Sequence, residues 1–241
     1  MTETNSERYG LIALIDILGT KRAGEADWQK YINAWNTFNF DYDLISAISE
    51  GDFFMFSDTI MIALPVIDGK MIDAFTKLGR ILLQMFLSGI KWGLFFRGVI
   101  SIGKFYMVRT KSYQFAGIYY DETWSPVQKS LLIGPAVNEA NQCYDKSKWV
   151  GISTMPSATN ELELMDDNQE AKKYFIKCDV KKYGVCEDGW AFAWPKFDDP
   201  DNLENPNREY HIGYLENQFN YFLKNDKKIA TLKGAQLIDT T

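Results

Sequence analysis

Two strongly apolar segments of strand length each carry an aspartate at or near one end. Asp16 follows the apolar run of residues 9–15, and Asp58 lies between two short apolar stretches at residues 53–57 and 59–64. A carboxylate at the end of a buried strand loses hydration unless a cation pairs with it. Two such carboxylates at neighbouring strand ends can share divalent metals, and Mg²⁺ favours one or two carboxylates together with substrate phosphates. The pair therefore predicts a metal-dependent phosphoryl-transfer site.

The order of the predicted elements indicates an α/β sandwich. The elements are a continuous apolar strand at 9–17, a helix at 26–48, two strands at 53–57 and 59–64, an amphipathic helix at 71–89 and an apolar strand at 94–102. The two short strands form a hairpin with Asp58 at its tip. A βαββαβ order is typical of ferredoxin-like and palm-type folds. That topology brings the first-strand carboxylate beside the hairpin carboxylate.

The rest of the chain predicts further strands and helices within the same domain. They are a hairpin or extended arm at 104–120, a helical stretch at 125–144 with a break near Gly134-Pro135, a strand at 149–153, a surface helix or loop at 160–170, strands at 174–180 and 190–194, a loop at 197–207 and a helix at 209–223. We expect a single domain over residues 1–241, with its core at 9–153 and a C-terminal elaboration at 154–241.

Charge and cysteine content exclude several classes of protein. The net charge is -6, so no global basic field attracts nucleic acid or an anionic membrane. The apolar region 72–103 is interrupted by four basic residues, so no membrane span is expected, and the first residues do not form a signal peptide. Three cysteines and the single His211 predict free thiols without disulfides or zinc. The expected location is the cytoplasm.

Four short segments, in order, resemble the class III nucleotidyl cyclase catalytic domain. Residues 15–19 (Ile-Asp-Ile-Leu-Gly) and 56–63 (Phe-Ser-Asp-Thr-Ile-Met-Ile-Ala) are similar to its two metal motifs. Residues 97–103 (Arg-Gly-Val-Ile-Ser-Ile-Gly) are similar to its Arg-x-Gly-Ile-x-x-Gly strand, and residues 134–140 (Gly-Pro-Ala-Val-Asn-Glu-Ala) to its Val-Asn-x-Ala helix start. The joint order of the four segments carries the resemblance.

The resemblance implies a site, cofactors and an assembly. Two Mg²⁺ or Mn²⁺ ions would be held at Asp16, Ile17 and Asp58, and the catalytic residues would be Asp16, Asp58, Arg97 and Asn138. The substrate, a nucleoside triphosphate, would contact Ile17, Leu18, Gly19, Thr20, Phe54, Ser57 and Pro135. The backbone N–H groups of residues 18–20 would hold phosphate oxygens. The site would lie at a homodimer interface, with Asn138 contributed by the opposite protomer.

Departures from the family pattern bear on the substrate. Purine cyclases commonly carry a lysine at the position of Phe54 and a polar residue at that of Pro135, and neither residue here can bond to a purine edge. The pattern resembles the pyrimidine cyclases of Pycsar antiphage systems, which make cyclic UMP or cyclic CMP. Gln142 stands where the family has its transition-state arginine. Another cation would then be needed, and the candidates are Lys21, Arg22, Lys104, Lys146 and Lys148.

Alternative interpretations remain open on the sequence. The chain could be a purine cyclase with unusual base recognition, a catalytically dead cyclase-like sensor, or, more remotely, a palm-type polymerase that makes cyclic oligonucleotides. Phe54 could be core, Asn138 a helix cap and Ser57-Asp58 an Asx-type turn. The sequence does not distinguish UTP from CTP, and it does not indicate the activator or the downstream effector.

Overall fold

The structure is a computed structural model that describes residues 7–18, 29, 32–36, 38, 51–56, 58–91, 94–112, 127–144, 151–167, 169–178 and 189–192. The strands in these residues are β1 (Glu7–Leu18), β2 (Asp52–Phe56), β3 (Thr59–Pro65), β4 (Phe95–Ser112), β5 (Val127–Ile133), β6 (Gly151–Thr154), β7 (Phe175–Cys178) and β8 (Gly189–Phe192). The helices are α1 (Met71–Lys91), α2 (Pro135–Asn141) and α3 (Pro156–Glu163), with a 3-10 helix at Glu170–Tyr174.

One mixed sheet organises the described residues. Its strand order is β2-β3-β1-β4-β6-β8-β7, and β5 pairs with the outer half of β4. The β4–β6 pair is parallel, and the other pairs are antiparallel. The predicted mixed α and β fold is confirmed.

The central strand β1 is buried on both faces of the sheet. Leu11, Ala13 and Ile15 belong to one apolar cluster, whereas Ile12 and Leu14 belong to the other. This alternation is the period of two of a β-strand, and it explains why the sequence of β1 is continuously apolar. We call the side of Leu11 face 1 and the side of Leu14 face 2.

Aromatic rings fill face 1 between the sheet and α1. Phe86 of α1 lies 5.2 Å from Phe96 of β4 and 5.3 Å from Phe192 of β8, measured between ring centroids. Phe96 in turn lies 5.3 Å from Phe38, and Phe192 lies 6.3 Å from Phe175. Such tilted and edge-on pairs add about 0.5–1.5 kcal/mol each beyond the burial of their area. The contacts hold the middle of the sheet to its β7–β8 edge.

Face 2 carries the short helix α2. Ala136, Val137 and Ala140 pack into the cluster that contains Leu14. Gly134 is the N-cap of this helix, and its φ of 141° is a value that mainly glycine adopts. A Cβ at this glycine would lie 2.7 Å from the carbonyl oxygen of Lys104, so glycine also permits the close approach of the chain to β4.

The predicted β1 strand, the hairpin around Asp58 and the amphipathic helix are confirmed, with β1 at Glu7–Leu18 and α1 at Met71–Lys91. The strand expected at 149–153 and the two late strands are also present as β6, β7 and β8, with bounds shifted by a few residues. Of the helix predicted at 26–48, residues 29, 32–36 and 38 are helical, and the others lie outside the described residues. The loop at 197–207 and the helix at 209–223 also lie outside.

The helix predicted over residues 125–144 is wrong for its first half. Residues 127–133 form β5, which pairs with the extension of β4, and only Pro135–Asn141 are helical. The strand expected at 94–102 continues to Ser112 because this pairing gives its outer half a partner. Long-range pairing overrides local pattern here, as is common for strands. Of the hairpin or arm predicted at 104–120, residues 104–112 belong to β4, whose hairpin partner is β5, and residues 113–120 lie outside the described residues.

The helix or loop expected at 160–170 is also displaced. Helix α3 begins at Pro156, directly after β6, and the 3-10 helix begins at Glu170. Proline suits the first turn of a helix because its missing N–H would have no partner there.

The cysteine and membrane expectations have different outcomes. Cys143 is 1% exposed and is disulfide-bonded, so the expectation that all three cysteines are free thiols is not confirmed.

Among the described residues, no helix combines the length and the apolar character that a membrane span requires.

Candidate active site

The end of β1 and the β2–β3 turn bring Asp16 and Asp58 together. Asp16 is the register partner of Thr59, so Asp58 lies one residue further along, beside Ile17. The N–H of Ile17 donates to the carbonyl oxygen of Asp58 over 3.0 Å, which fixes the turn against β1. Backbone pairing thus places Asp16 and the turn residue Asp58 at the same end of adjacent strands. The predicted juxtaposition of their carboxylates stays a prediction.

Arg97 of β4 forms an ion pair with Asp16. The two residues are register partners, and Nε and Nη2 of Arg97 lie 2.7 and 2.6 Å from Asp16 Oδ2. Asp16 is 9% exposed, so its carboxylate has lost most of its water. A guanidinium at this distance compensates for the lost hydration. The structure therefore shows Arg97 in an ion pair, and its predicted catalytic role stays a prediction.

The ion pair lies on face 2 of the sheet. Asp16 is two residues from Leu14, and Arg97 is two residues from Val99, and both apolar residues belong to the face 2 cluster. Phe54 of β2 is half-buried and packs against the same cluster. The carboxylate, the guanidinium and the phenyl ring are therefore presented on one face, across four strands.

Helix α2 carries two more of the predicted site residues, Pro135 and Asn138, and it lies further along face 2. The hydroxyl of Ser101 donates to the carbonyl oxygen of Ala136 over 2.6 Å. Ser101 is four residues from Arg97 in β4, or about 13 Å along the strand. Pro135 and Asn138 are exposed, and the side chain of Asn138 bonds to no other described side chain. The described contacts do not bring Asn138 to the aspartates within one chain.

Several predicted site residues cannot be placed. Gly19, Thr20 and Ser57 lie outside the described residues, and for Leu18 only the backbone is described, at the end of β1. Ile17 is placed and is 1% exposed. Its side chain packs in the face 1 cluster, so only its backbone can take part in the site.

One of the five candidate replacement cations can be assessed, and it lies far from Asp16. Lys104 Nζ is 2.8 Å from Glu7 Oε1, and this hydrogen bond raises the pKa of Lys104 above its ordinary value. Lys104 is seven residues from Arg97 along β4, about 23 Å. The other four candidates, Lys21, Arg22, Lys146 and Lys148, lie outside the described residues.

Sequence reasoning missed the residues that hold α2 in place. Ser101 is fully buried, and the carboxylate of Glu139 bonds to Ser157 at the start of α3. A signal for Ser101 was present, because a small polar residue between Ile100 and Ile102 in a buried strand needs a hydrogen-bond partner. No sequence signal connects Glu139 to Ser157, which lies 18 residues away.

The donor set suits a cation that takes part of its coordination from a substrate. Within the described ranges, no three or more His, Cys, Asp or Glu residues form a group that could hold a metal. Asp16 and Asp58 supply two carboxylates, which fits Mg²⁺ or Mn²⁺ bound together with phosphate oxygens and not an all-protein cage. The residues present therefore fit the implied metals.

Solved structures show what this arrangement is similar to. No family model matches the chain, and no curated protein matches its sequence. The guanylyl cyclase Cya2 superposes with a TM-score of 0.51 at 14% identity, over 79% of this chain and 93% of the other. The adenylyl cyclase CyaB from P. aeruginosa gives 0.51 at 14% identity, over 79% and 95%. The catalytic core of a rhodopsin-guanylyl cyclase with converted specificity, solved with ATPαS, gives 0.53 at 16% identity, over 80% and 99%.

The chain has the class III cyclase fold. These neighbours are adenylyl and guanylyl cyclase catalytic domains, and nearly the whole of each is matched. The expected cyclase-like fold is confirmed. At 14–16% identity the likeness concerns the fold alone, so substrate, metals and assembly are argued below from the residues of this chain.

Replacing Arg97 tests how much its ion pair with Asp16 contributes to stability. Arg97→Ala removes a guanidinium from a carboxylate that is 9% exposed, so the free energy of unfolding should fall by about 1–3 kcal/mol. Urea unfolding at pH 7 measures the loss. The slope of the unfolding free energy against urea concentration should be the same in the variant and in the wild type. The matched control is Lys177→Ala, which breaks the exposed pair with Glu163 and should leave the free energy of unfolding nearly unchanged. Equal small losses in both variants would contradict the structural role of Arg97.

Proposed function

We propose that this protein is a nucleotidyl cyclase, which closes a nucleoside triphosphate to a 3′,5′-cyclic nucleotide and releases pyrophosphate. The observation that carries the proposal is the placement of Asp16 and Asp58 at adjacent strand ends, on a fold shared with adenylyl and guanylyl cyclase domains. The reaction needs a positioned ribose 3′-hydroxyl, a held triphosphate and charge stabilisation at the α-phosphorus.

Asp16 and Asp58, with the backbone of Ile17, would hold two Mg²⁺ or Mn²⁺ ions. When bound there, the metals would supply charge that lowers the pKa of the attacking hydroxyl and neutralises the triphosphate. The protein fixes the carboxylates that receive them. Arg97 holds Oδ2 of Asp16, and the Ile17 N–H holds the turn that carries Asp58. The N–H groups of residues 18–20 are the proposed contacts to phosphate, on sequence grounds.

Removing either aspartate should abolish cyclisation. Asp16→Ala and Asp58→Ala should each lower product formation by at least about a hundredfold, because each removes an anionic metal ligand. Pure protein is incubated with Mn²⁺ and each of the four nucleoside triphosphates, and products are resolved by mass. Asp73→Ala on the exposed start of α1 is the matched carboxylate control and should keep wild-type turnover. Near wild-type turnover in a folded Asp16 or Asp58 variant would eliminate the two-metal site.

We propose a pyrimidine substrate, UTP or CTP. Phe54 is half-buried on the same face as Asp16, and Pro135 opens α2 without a side-chain donor. Neither side chain can bond to a purine edge, and a phenyl ring reduces the room for a base. The purine alternative is favoured by a different observation, since the neighbours in fold are guanylyl and adenylyl cyclases. The four-nucleotide assay decides between them.

Phe54 and Phe53 provide a matched pair for testing base selection. They are adjacent in β2, but Phe54 packs on face 2 whereas Phe53 packs on face 1. Phe54→Ala should raise kcat/KM for ATP or GTP relative to UTP and CTP by about tenfold, because the truncated ring leaves space for a larger base. Phe53→Ala should lower stability without changing base preference. Unchanged preference in Phe54→Ala would assign Phe54 to the core alone.

We also propose a homodimer with composite sites. Asn138 is exposed on α2 and is not brought to the aspartates within the described part of one chain. A two-fold interface between copies would let Asn138 of one protomer orient the ribose at Asp16 and Asp58 of its partner.

Complementation tests the composite site. Co-expressed Asp16→Ala and Asn138→Ala chains form mixed dimers in which one site carries both lesions and the other is intact. Random pairing makes half of the dimers mixed with one working site each, so roughly a quarter of wild-type activity should return. Each variant expressed alone serves as the inactive control. Mixed dimers as inactive as their parents would place the whole site within one chain.

The proposed setting is second-messenger production in the cytoplasm during antiphage defence, which rests on the resemblance to pyrimidine cyclases. Gln142 supports a rival function. It is exposed at the end of α2, and that helix has no basic residue in its last turn. A domain without a transition-state cation could bind nucleotide as a sensor. Nucleotide binding with no cyclic product from any of the four triphosphates would favour the sensor.

A further inference from the structure

The carboxylate of Glu139 connects α2 to the start of α3. The N–H of Ser157 donates to Glu139 Oε1 over 3.1 Å, and the Ser157 hydroxyl donates to Glu139 Oε2 over 2.5 Å. The same hydroxyl oxygen accepts the N–H of Ile102 in β4 over 2.9 Å. Three elements are thus joined through two side chains. Glu139 is adjacent to Asn138 in sequence, and its own side chain is half-buried.

Ser157 bonds to Ile102 and to Glu139 because it lies just after the end of β6. β6 ends at Thr154, and its pairing with β4 finishes where the N–H of Met155 donates to the carbonyl oxygen of Ile100 over 2.7 Å. On the β6 side of β4, the N–H of Ile102 then has no acceptor in a strand. The Ser157 hydroxyl oxygen accepts it. Ser157 also belongs to the first turn of α3, where backbone N–H groups have no intrahelical acceptor. The Glu139 carboxylate accepts one of these and lies at the positive end of the α3 dipole.

Helix α2 depends on such tertiary contacts for its position. It has seven residues, and its N-cap Gly134 offers no side-chain bond. A helix of this length is not stable by itself in water. The described polar anchors of its body are the Ser101 bond to Ala136 and the Glu139 bonds to Ser157. The Ser101 bond fixes the height of the helix above the sheet. The Glu139 bonds restrain the rotation of the helix about its own axis.

We propose that Glu139 is a positioning residue, which together with Ser157 sets the rotation of α2 so that Asn138 faces outward towards the site of the partner protomer. This inference rests on the proposed role of Asn138. The exposed residues of α2 are Pro135, Asn138 and Asn141, and with exposed Gln142 they lie away from the side packed on the sheet. A small rotation of so short a helix displaces the Asn138 amide, and displacements of about 1 Å can cost roughly a hundredfold in rate.

Glu139→Gln in the otherwise wild-type dimer is the first test. The amide keeps the size of the side chain but loses the charge and one of the two acceptor oxygens that Ser157 uses. We expect kcat to fall by roughly ten- to a hundredfold, with KM changed by less than about threefold. Ser157→Ala should give a similar loss, and the double variant should lose no more than either alone because both act through one connection. Ser157→Thr, which retains the hydroxyl, should recover most of the rate.

Glu163→Gln is the matched control. Glu163 on α3 is another carboxylate that accepts two side-chain bonds, from Lys177 and from Trp190, but it is exposed and both partners lie outside α2. Its kcat should stay within about twofold of wild type, as for a surface pair. Wild-type kcat in folded Glu139→Gln, or equal losses in Glu139→Gln and Glu163→Gln, would overturn the inference.

Complementing dimers show which protomer Glu139 serves. The working site of a mixed dimer takes its aspartates from the Asn138→Ala chain and its Asn138 from the Asp16→Ala chain. Glu139→Gln added to the Asp16→Ala chain should therefore reduce the recovered activity about tenfold or more, whereas the same change in the Asn138→Ala chain should leave it unchanged. A purely structural role would lower recovery from either chain. That result would contradict the positioning role.

The failure of this inference is distinguishable from failure of the proposed function. If wild-type protein forms no cyclic product, or if Asn138→Ala keeps wild-type turnover, the proposed function or the role of Asn138 is wrong. If Asn138→Ala is inactive and Glu139→Gln turns over like wild type, only the positioning role is wrong.

Discussion

The charge of Asp16 is the constraint to which the rest of the site is fitted. It lies at the end of a strand that is buried on both faces, and it is 9% exposed. Arg97 compensates that charge only because β1 and β4 pair in the register that places the two residues opposite each other. A slip of one residue would turn Asp16 towards the aromatic core of face 1 and would leave both charges without compensation. The ion pair therefore specifies register as well as a site.

The two faces of the sheet have different tasks. Face 1 is filled by large side chains of α1 and the sheet, with Phe86 at the centre of the ring contacts between β4 and β8. Face 2 has little helical cover among the described residues, since the described helix that packs there, α2, is seven residues long. Packing on face 1 holds the sheet rigid, so polar side chains such as those of Asp16 and Arg97 can lie on face 2. A short helix on such a face takes its orientation from a few hydrogen bonds, which makes Ser101 and Glu139 important beyond their own stability contributions.

The parts of the fold that were predictable are those in which a local pattern coincides with the final burial. β1 could be recognised because burial on two faces demands a continuous apolar sequence, and Asp58 could be placed at a hairpin tip because two short apolar runs flank it. β5 could not be recognised, since residues 127–133 become a strand only through pairing with the extension of β4. In the candidate site, the topology accounts for the backbone of Asp58 lying beside the end of β1. The bond between Glu139 and Ser157 does not follow from topology, because it depends on where β6 ends and α3 begins.

Base selection in such a domain cannot be inferred from its backbone. Neighbours that are guanylyl and adenylyl cyclases superpose on this chain with nearly equal TM-scores, although they are named for different bases. A fold that accommodates either base leaves the choice to individual side chains. Phe54 lies on face 2 in β2, which pairs with β3, the strand that follows Asp58. In the proposed site Asp58 would hold metal and Phe54 would limit the size of the base, so different residues of one hairpin would carry the two tasks and the base could change while the carboxylates are retained.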